Sequence, residues 1–582
     1  MHHISPWSVI TDSIRKSRKM EPNIRRRWLR HAEEKAGEDA VIHRDKRGQH
    51  YRWTFSALME KAMVYADYLR ASGIRKGEVC ALIIRHHPEF YPLYLGISFC
   101  GALPSVLAYP NSRIHPEKFR EGLIGMSQRS GLDHLLTEKD LLPVIGPLIG
   151  RNEHTIRSVL LPFEELSATA GHHEQEVCDI PDTEPLLLQH SSGTTGLQKP
   201  VMLSHRAVMG HAETYGRSID LHQGDKVVSW LPLYHDMGLM AAFHVPLYFG
   251  VPSVQIDPFA WVIAPEMLLE AISDEQATLC WMPNFAFKLM ADRIRIEDIE
   301  EPDLKSIRMW ICAGEPVRKN SLDAFVKKFS AFGLQEGCIS TLYGMAETTM
   351  GVTQTPAGET PAVIRLDKAA LSEGRLVLTD DPEAGRELVS SGRLLEGCSV
   401  RILSKDLEDQ PASCVGEIAI RSPYLFDAYR NYPEKTAEVM RHGWYLSGDL
   451  GFEHEGWYYV IGRKKDLIIS AGKNIYPEDA EESLGSVRGL TPGRMIVFGE
   501  ESEALGTEVI SLIAETEISG EEERRSLRMA ILQKAMELDL TISAIYLVPS
   551  RWLIKSSAGK PGRDINKKRI LDPAENQKWR IL

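Results

Sequence analysis

Residues 54–75, TFSALMEKAMVYADYLRASGIR, carry apolar side chains at helical spacing and run into Gly73, which predicts an amphipathic helix with a glycine stop. The next run, GEVCALII, is short and apolar throughout, as a strand buried on both faces would be. From Tyr91 to Pro110 no charge occurs, a length that could span a bilayer. Pro104 and its small neighbours break that run, so a buried helix, a turn and a buried strand are expected instead. Further short apolar stretches alternate with helical ones: LLTEK, SVLLP, KVVSWLP, PSVQI, TLCWMP and RMWICAG. Such alternation predicts a large α/β architecture with parallel sheets.

After about residue 390 the texture changes. SVRILS, GEIAIRS and GWYLSGDLGFEHEGWYYVIG predict short antiparallel strands with glycine turns. From residue 464 a smaller unit is expected: KKDLIIS, a helix near YPEDAEESLGSV, strands MIVFGE and VISLIAE, an amphipathic helix over 521–538 and the strand AIYLVP. The fold class is therefore α/β. A large N-terminal domain, 1–463, combines parallel-sheet α/β layers with a small antiparallel β subdomain, and a small α+β C-terminal domain covers 464–582.

Composition narrows the function classes. A chain of 582 residues with 43% hydrophobic and 25% charged residues is ordinary globular protein of more than one domain. Its net charge of −12 argues against a nucleic-acid binder and against strong attraction to anionic lipid. The eight cysteines form no CxxC pair, so neither a zinc knuckle nor a redox dithiol is indicated. The N-terminus lacks the apolar core of a secretory signal, and a cytoplasmic protein without stable membrane insertion is expected.

The chemically richest stretch is LLLQHSSGTTGLQKP. A buried strand leads into Ser191, Ser192, Gly193, Thr194, Thr195 and Gly196, with Lys199 following. Small residues let backbone N–H groups approach phosphate oxygens, hydroxyls add donors, and a lysine supplies charge. Leu-Gln-Lys-Pro after Gly196 departs from GxxxxGK[ST], so a Walker-type ATPase is disfavoured. Alone, this stretch could equally be a polar turn.

It does not stand alone. LPLYHDMGL (231–239), AGEP (313–316), LYGMAETT (342–349), YLSGDLG (445–451), GRKKD (462–466) and KSSAGKPGR (555–563) follow in order. Together with SSGTTGLQK they resemble the acyl-adenylating superfamily: acyl-CoA synthetases, peptide-synthetase adenylation domains and luciferases. That resemblance implies ATP and Mg²⁺ as cofactors. It makes Glu347 a Mg²⁺ ligand, Tyr343 an adenine-stacking face, and Gly314, Glu315 and Pro316 a backbone wall against adenine, with Gly344, Met345 and Ile461 lining the nucleotide. It gives Asp449 and Arg463 the ribose hydroxyls, Lys465 the hinge of a swinging C-terminal domain, and His235 the junction of acyl pocket and nucleotide. Lys560, in its Ser/Gly-rich loop, would be the cation that meets the transition state of carboxylate attack on the α-phosphate. Catalytic residues expected on this basis are Lys560, Glu347 and His235. A zinc role for His235 is poor for want of a second ligand at ligand spacing, and no GxSxG elbow supports a hydrolase triad.

The acid is read from the surroundings. Trp230, Met240 and Phe285, with His235, are expected to line an acyl pocket; Leu231, Leu239, Phe243, Trp281, Met282 and Phe287 are equally apolar and equally compatible with plain core. An apolar tunnel suits an alkyl chain, since each buried CH₂ contributes about 0.8 kcal/mol. LPLYHDMGL, MPNFAF (282–287), CAGEPVR (312–318) and YGMAETT look most like fatty acyl-AMP ligases. Residues 361–393 fall where that group carries an insertion, which in the group packs against the C-terminal domain and opposes thioester formation with CoA. The resemblance then implies a fatty acid substrate and an acyl carrier protein, through its phosphopantetheine arm, as acceptor. A fatty acyl-CoA synthetase is the alternative, and a catalytically silent binding protein a third reading. Pro200 stands where the family usually has glycine, and Gly472-Lys473-Asn474 also departs from many relatives.

Overall fold

The computed structural model describes residues 23–110, 116–149, 153–166, 181–191, 198–335, 337–470, 473–502, 507–538, 540–555 and 561–581. Its centre is a sheet of parallel strands in the spatial order Ile339–Gly344, Met309–Cys312, Leu279–Met282, Val227–Ser229, Ser253–Ile256 and Asp39–Arg44. Antiparallel strands Gly351–Gln354, Arg393–Leu394 and His50–Thr54 finish its two edges. A second parallel sheet holds Leu103–Val106, Val79–Ile83, His134–Thr137 and Ser158–Leu160. These strands are buried along their lengths in the central sheet, which is why they read as unbroken apolar runs.

The charge-free run folds as expected into the fully buried helix Phe90–Cys100, a left-handed Gly101 and the strand Leu103–Val106. Gly96 lets that helix lie directly on Phe55–Ala71: a Cβ there would sit 2.6 Å from Tyr65 Cβ and 2.8 Å from the Ala62 carbonyl oxygen. No helix among the described residues is long and apolar enough to cross a membrane.

Between residues 399 and 463 the strands pair antiparallel. Ser399–Leu403, Gly416–Arg421, Trp444–His454 and Trp457–Arg463 lie side by side. Residues 464 onward form the small hairpin Ile468–Ser470/Lys473–Ile475 and a sheet ordered Met495–Ser502, Thr507–Glu515, Ile542–Val548, Arg580–Ile581, with helices Pro477–Leu484 and Glu521–Glu537 over it. Within 361–393, strands Val363–Asp367 and Gly385–Val389 make a separate antiparallel pair. Parallel layers, an antiparallel part and a small α+β part thus occur in the expected order.

One buried carboxylate secures the central sheet at the end away from the loops that carry the motifs. Asp225, with no exposed side-chain surface, precedes Val227–Ser229. It accepts hydrogen bonds from Arg308 Nε and Nη2, both at 2.8 Å, from Thr278 Oγ1 at 2.7 Å and from the His222 N–H at 2.9 Å. Thr278 and Arg308 each immediately precede a neighbouring strand, so the starts of three adjacent strands share one anion. Burial alone would raise this carboxyl; the Arg308 guanidinium and the other donors outweigh it and hold the group below its ordinary value. A depressed carboxyl contributes stability above its unfolded pKa, about 3.9, and loses it as pH falls through the lower folded value. Asp225→Asn is expected to cost about 3 kcal/mol at neutral pH, because it leaves Arg308 without its buried partner charge. Denaturant titrations of both proteins should show that gap narrowing below about pH 4; a gap independent of pH contradicts this role.

Candidate active site

Register in the antiparallel hairpin puts Asp449 opposite Arg463, and strand Ile339–Gly344 delivers Tyr343 to the same place. Arg463 Nε lies 2.8 Å from Asp449 Oδ1, and the Tyr343 hydroxyl donates to Oδ2 at 2.8 Å. Each carboxylate oxygen therefore has one protein partner and keeps capacity for a further donor, as two vicinal hydroxyls require. The backbone is braced underneath: Asp449 N–H donates to Ser447 Oγ at 3.0 Å and Gly448 N–H to Glu417 Oε1 at 3.2 Å. Gly448 takes a positive φ of 72°, which suits glycine. The adjacent Asp449 charge raises Arg463 further above its already high value, so the guanidinium stays charged. Burial, and then the same carboxylate, pushes the Tyr343 phenol well up, so it remains a donor. Ile461 is buried on the strand that carries Arg463.

The turn after Tyr343 holds Glu347. Gly344 is demanded here, since a Cβ would fall 1.7 Å from the Met350 carbonyl oxygen. Met345 is extended and its N–H donates to Thr348 Oγ1 at 3.2 Å, closing the turn Ala346–Thr348. Glu347 is buried, and the Tyr429 hydroxyl donates to its Oε1 at 2.6 Å. Lys199 Nζ donates to that same hydroxyl at 3.4 Å and lies 5.1 Å from the Tyr429 ring centre. Burial lowers the Lys199 ammonium from its ordinary value, while Glu347 opposes the shift. Arg463 also feels the field of Glu347, so the two groups of residues belong to one charged site.

The phosphate-loop expectation is described only at its ends. Ser191 N–H donates to the Lys199 carbonyl at 3.0 Å and Lys199 N–H to Ser191 Oγ at 3.3 Å, closing the base of the loop. Flanking strands Pro185–His190 and Pro200–Ser204 pair antiparallel, with Pro200 at the first strand position, where a missing N–H is tolerated. Ser192, Gly193, Thr194, Thr195 and Gly196 lie outside the described residues, as does Lys560. Lys465 Nζ lies 3.3 Å from Asp564 Oδ2, four positions after Lys560.

The other flank is apolar. His235 Nδ1 lies 2.7 Å from Asp236 Oδ1, just before the widened helical turn Met237–His244 that buries Met240. Such π-type turns often mark functional sites. Gly314 has φ 82°, and a Cβ on it would approach Met237 Cε at 3.7 Å, so the AGEP turn, with Pro316, faces the His235 loop. Glu315 Oε1 accepts from the Phe285 N–H at 2.5 Å, joining that turn to the helix Asn284–Arg293. Trp230 stacks on Trp261 at 3.6 Å and meets the Phe285 edge at 6.1 Å. Trp281 and Phe287 sit wholly in the core, and the Trp281 indole donates to Tyr215 Oη at 2.7 Å.

Three residues not singled out from the sequence belong to this site: Tyr429, Ser447 and Tyr445, a buried phenol that feels the charge of Glu347. No side-chain cluster among the described residues could hold a metal alone. Glu347, with one oxygen engaged by Tyr429 and the other without a hydrogen bond among the described residues, fits a Mg²⁺ ion that takes its remaining ligands from water and phosphates.

Tyr343→Phe keeps the ring and removes the donor to Asp449. It is expected to weaken AMP binding about tenfold, the loss typical of one hydrogen bond to a charged group. Calorimetric titration with AMP measures this; unchanged affinity would show that the ring alone matters.

Residues 28–430 match the family described as "AMP-binding enzyme". A Mycobacterium tuberculosis protein named as a probable long-chain-fatty-acid–AMP ligase is 27% identical over 545 residues, covering 88% of this chain and 91% of its own. A Caulobacter vibrioides protein provisionally named an acyl-CoA synthetase is 28% identical over 517 residues, 88% of each chain. Among solved structures, one from work on fatty acyl-adenylate ligases of E. coli and L. pneumophila superposes with a TM-score of 0.85 at 26% identity, covering 96% of this chain and 99% of that one. With this match across most of its length, and with that fold, the chain belongs to the AMP-binding enzyme family.

Proposed function

We propose that this enzyme uses ATP to activate a fatty acid as acyl-AMP, releasing pyrophosphate, and passes the acyl group to the phosphopantetheine thiol of an acyl carrier protein. A carboxylate oxygen of the acid attacks the α-phosphorus while the bond to the bridging oxygen breaks, and pyrophosphate departs with that electron pair. The thiol sulfur then attacks the acyl carbon, AMP leaves, and the thiol proton passes to solvent.

The observation that carries the first half is the Asp449 carboxylate, held by Tyr343 and Arg463 in the same charged site as Glu347 and Lys199. Asp449 and Arg463 take the ribose, and Tyr343 flanks adenine against Gly314, Glu315 and Pro316. Ser191 to Gly196 and Lys199 receive the phosphates. Glu347 would hold a Mg²⁺ ion, which when bound would supply charge neutralisation for the departing phosphates. His235 lines the junction, and Trp230, Met240 and Phe285 shelter the acyl chain, in keeping with relatives named for fatty acids. Lys560 enters with the swing of residues 464–582 about Lys465 and meets the charge of the transition state.

The acceptor half is supported by Asp479 on the helix Pro477–Leu484. Arg318, which follows AGEP, approaches Asp479 Oδ1 at 3.1 Å and Glu482 Oε2 at 2.9 Å. Arg386, from the 361–393 segment, pairs with Asp479 Oδ2 and lies 5.7 Å from the Tyr476 ring centre. Leu366, Leu371 and Leu388 share an apolar cluster with Tyr476. The segment and the helix are thus fastened together, a restraint that opposes rearrangement towards free CoA.

Pyrophosphate release measured across acids of increasing length tests the proposal. Release with fatty acids, acyl transfer to a holo carrier protein and little acyl-CoA are expected; rapid acyl-CoA formation makes the enzyme a CoA synthetase. Lys560→Ala is expected to lose nearly all acyl-AMP formation while staying folded. Asp479→Ala is expected to raise acyl-CoA formation about fivefold, as loss of ~1 kcal/mol from the restrained arrangement would, without lowering pyrophosphate release. No gain in acyl-CoA would contradict the restraint.

A further inference from the structure

Tyr429 is absent from every motif that marks the site, yet it touches two of the site's charged groups. Its position is set from both sides. Strand Ala428–Tyr429 pairs antiparallel with Pro200–Ser204, the strand that leaves the phosphate loop, with Tyr429 opposite Val201. The Arg430 N–H donates to the Pro200 carbonyl at 2.9 Å and the Asp427 N–H to the Met202 carbonyl at 3.0 Å. Tyr429 N–H donates to Thr436 Oγ1 at 3.0 Å, and the Phe426 N–H donates to the Glu347 carbonyl at 2.8 Å. Phe426 packs on the Tyr429 ring with centres 4.8 Å apart. Residues 426–430 thus tie the exit of the phosphate loop to the Glu347 turn through the backbone.

The side chain repeats that tie. The hydroxyl proton goes to Glu347 Oε1, and the hydroxyl oxygen receives Lys199 Nζ. The hydroxyl therefore separates the ammonium from the carboxylate. Without it, Lys199 and Glu347 would be drawn into direct contact in a buried setting, where such a pair is strongly attracted. The pair would then neutralise the carboxylate needed for a metal and divert the ammonium from phosphate.

We infer that Tyr429 is a positioning residue for the nucleotide-bound metal: it holds one oxygen of Glu347, leaves the other to a divalent cation, and keeps Lys199 turned to the phosphates. Acting through Glu347, it touches no substrate in this scheme. The inference rests on the proposed adenylation reaction only for the identity of the nucleotide.

Manganese tests it, with binding read apart from turnover. Electron paramagnetic resonance titration of Mn²⁺ into the whole protein with a non-hydrolysable ATP analogue compares the natural chain with Tyr429→Phe. Mn²⁺ affinity is expected to fall about tenfold, the effect of losing one hydrogen bond to a charged group, while AMP affinity and melting temperature stay close to the parent. In pyrophosphate-release assays the Mg²⁺ concentration for half-maximal rate should rise. If Tyr429→Phe does not fold, Thr436→Val removes the acceptor that seats the Tyr429 N–H and should weaken Mn²⁺ about threefold, as for one neutral hydrogen bond. Unchanged Mn²⁺ affinity in the folded variant overturns the inference and leaves Tyr429 a packing residue. Absence of pyrophosphate release from the natural chain would defeat the proposed function, yet the Mn²⁺ comparison would still decide on Tyr429.

Discussion

The hydrogen bond from Tyr343 to Asp449 joins two sheets that have no strand in common. Tyr343 closes the last parallel strand of the central sheet, and Asp449 stands in the antiparallel hairpin with Arg463 at its side. Everything the site does depends on these two layers meeting at a fixed distance. If they parted, the Tyr343 ring, the Asp449 carboxylate and the Arg463 guanidinium would no longer face one small volume. Gly344, crowded by the Met350 carbonyl, and Gly448, with its positive φ, allow the chain to turn sharply on each side of that bond.

The chemistry proposed for the site sets an anion against an anion, so charge management explains much of the arrangement. Lys199 and Arg463 bring positive charge and Glu347 and Asp449 negative charge; the Tyr429 hydroxyl stands between Lys199 and Glu347, and the Tyr343 hydroxyl donates to Asp449. Neutral donors of this kind orient a carboxylate without discharging it. Apart from these groups, Trp230, Trp261 and Phe285 pack as an aromatic cluster.

How much of this was legible in the sequence differs from residue to residue. Buried strands were legible because parallel strands covered on both faces are apolar throughout, and Pro104 marks the run from Tyr91 to Pro110 as helix, turn and strand. Tyr343, Glu347, Asp449 and Arg463 stand in motifs of the sequence, and the fold brings Tyr343 and Arg463 onto Asp449. Tyr429 was not legible: its partner Glu347 is 82 residues away, and only the pairing of Ala428–Tyr429 with Pro200–Ser204 brings them together. The fastening of Asp479 by Arg318 and Arg386 was hidden for the same reason, since it links three distant segments. In the apolar neighbourhood the sequence could not separate pocket from core, and Trp281 and Phe287 proved to be core.

The central claim is that a carboxylate oxygen of the acid becomes bonded to the α-phosphorus. A fatty acid labelled with heavy oxygen in both carboxyl positions, turned over with ATP by this enzyme, tests it directly by mass spectrometry of the products. When the acyl group is transferred, the oxygen that attacked phosphorus stays behind. The account requires AMP carrying one heavy oxygen and pyrophosphate carrying none. Unlabelled AMP, or label in the pyrophosphate, would contradict it.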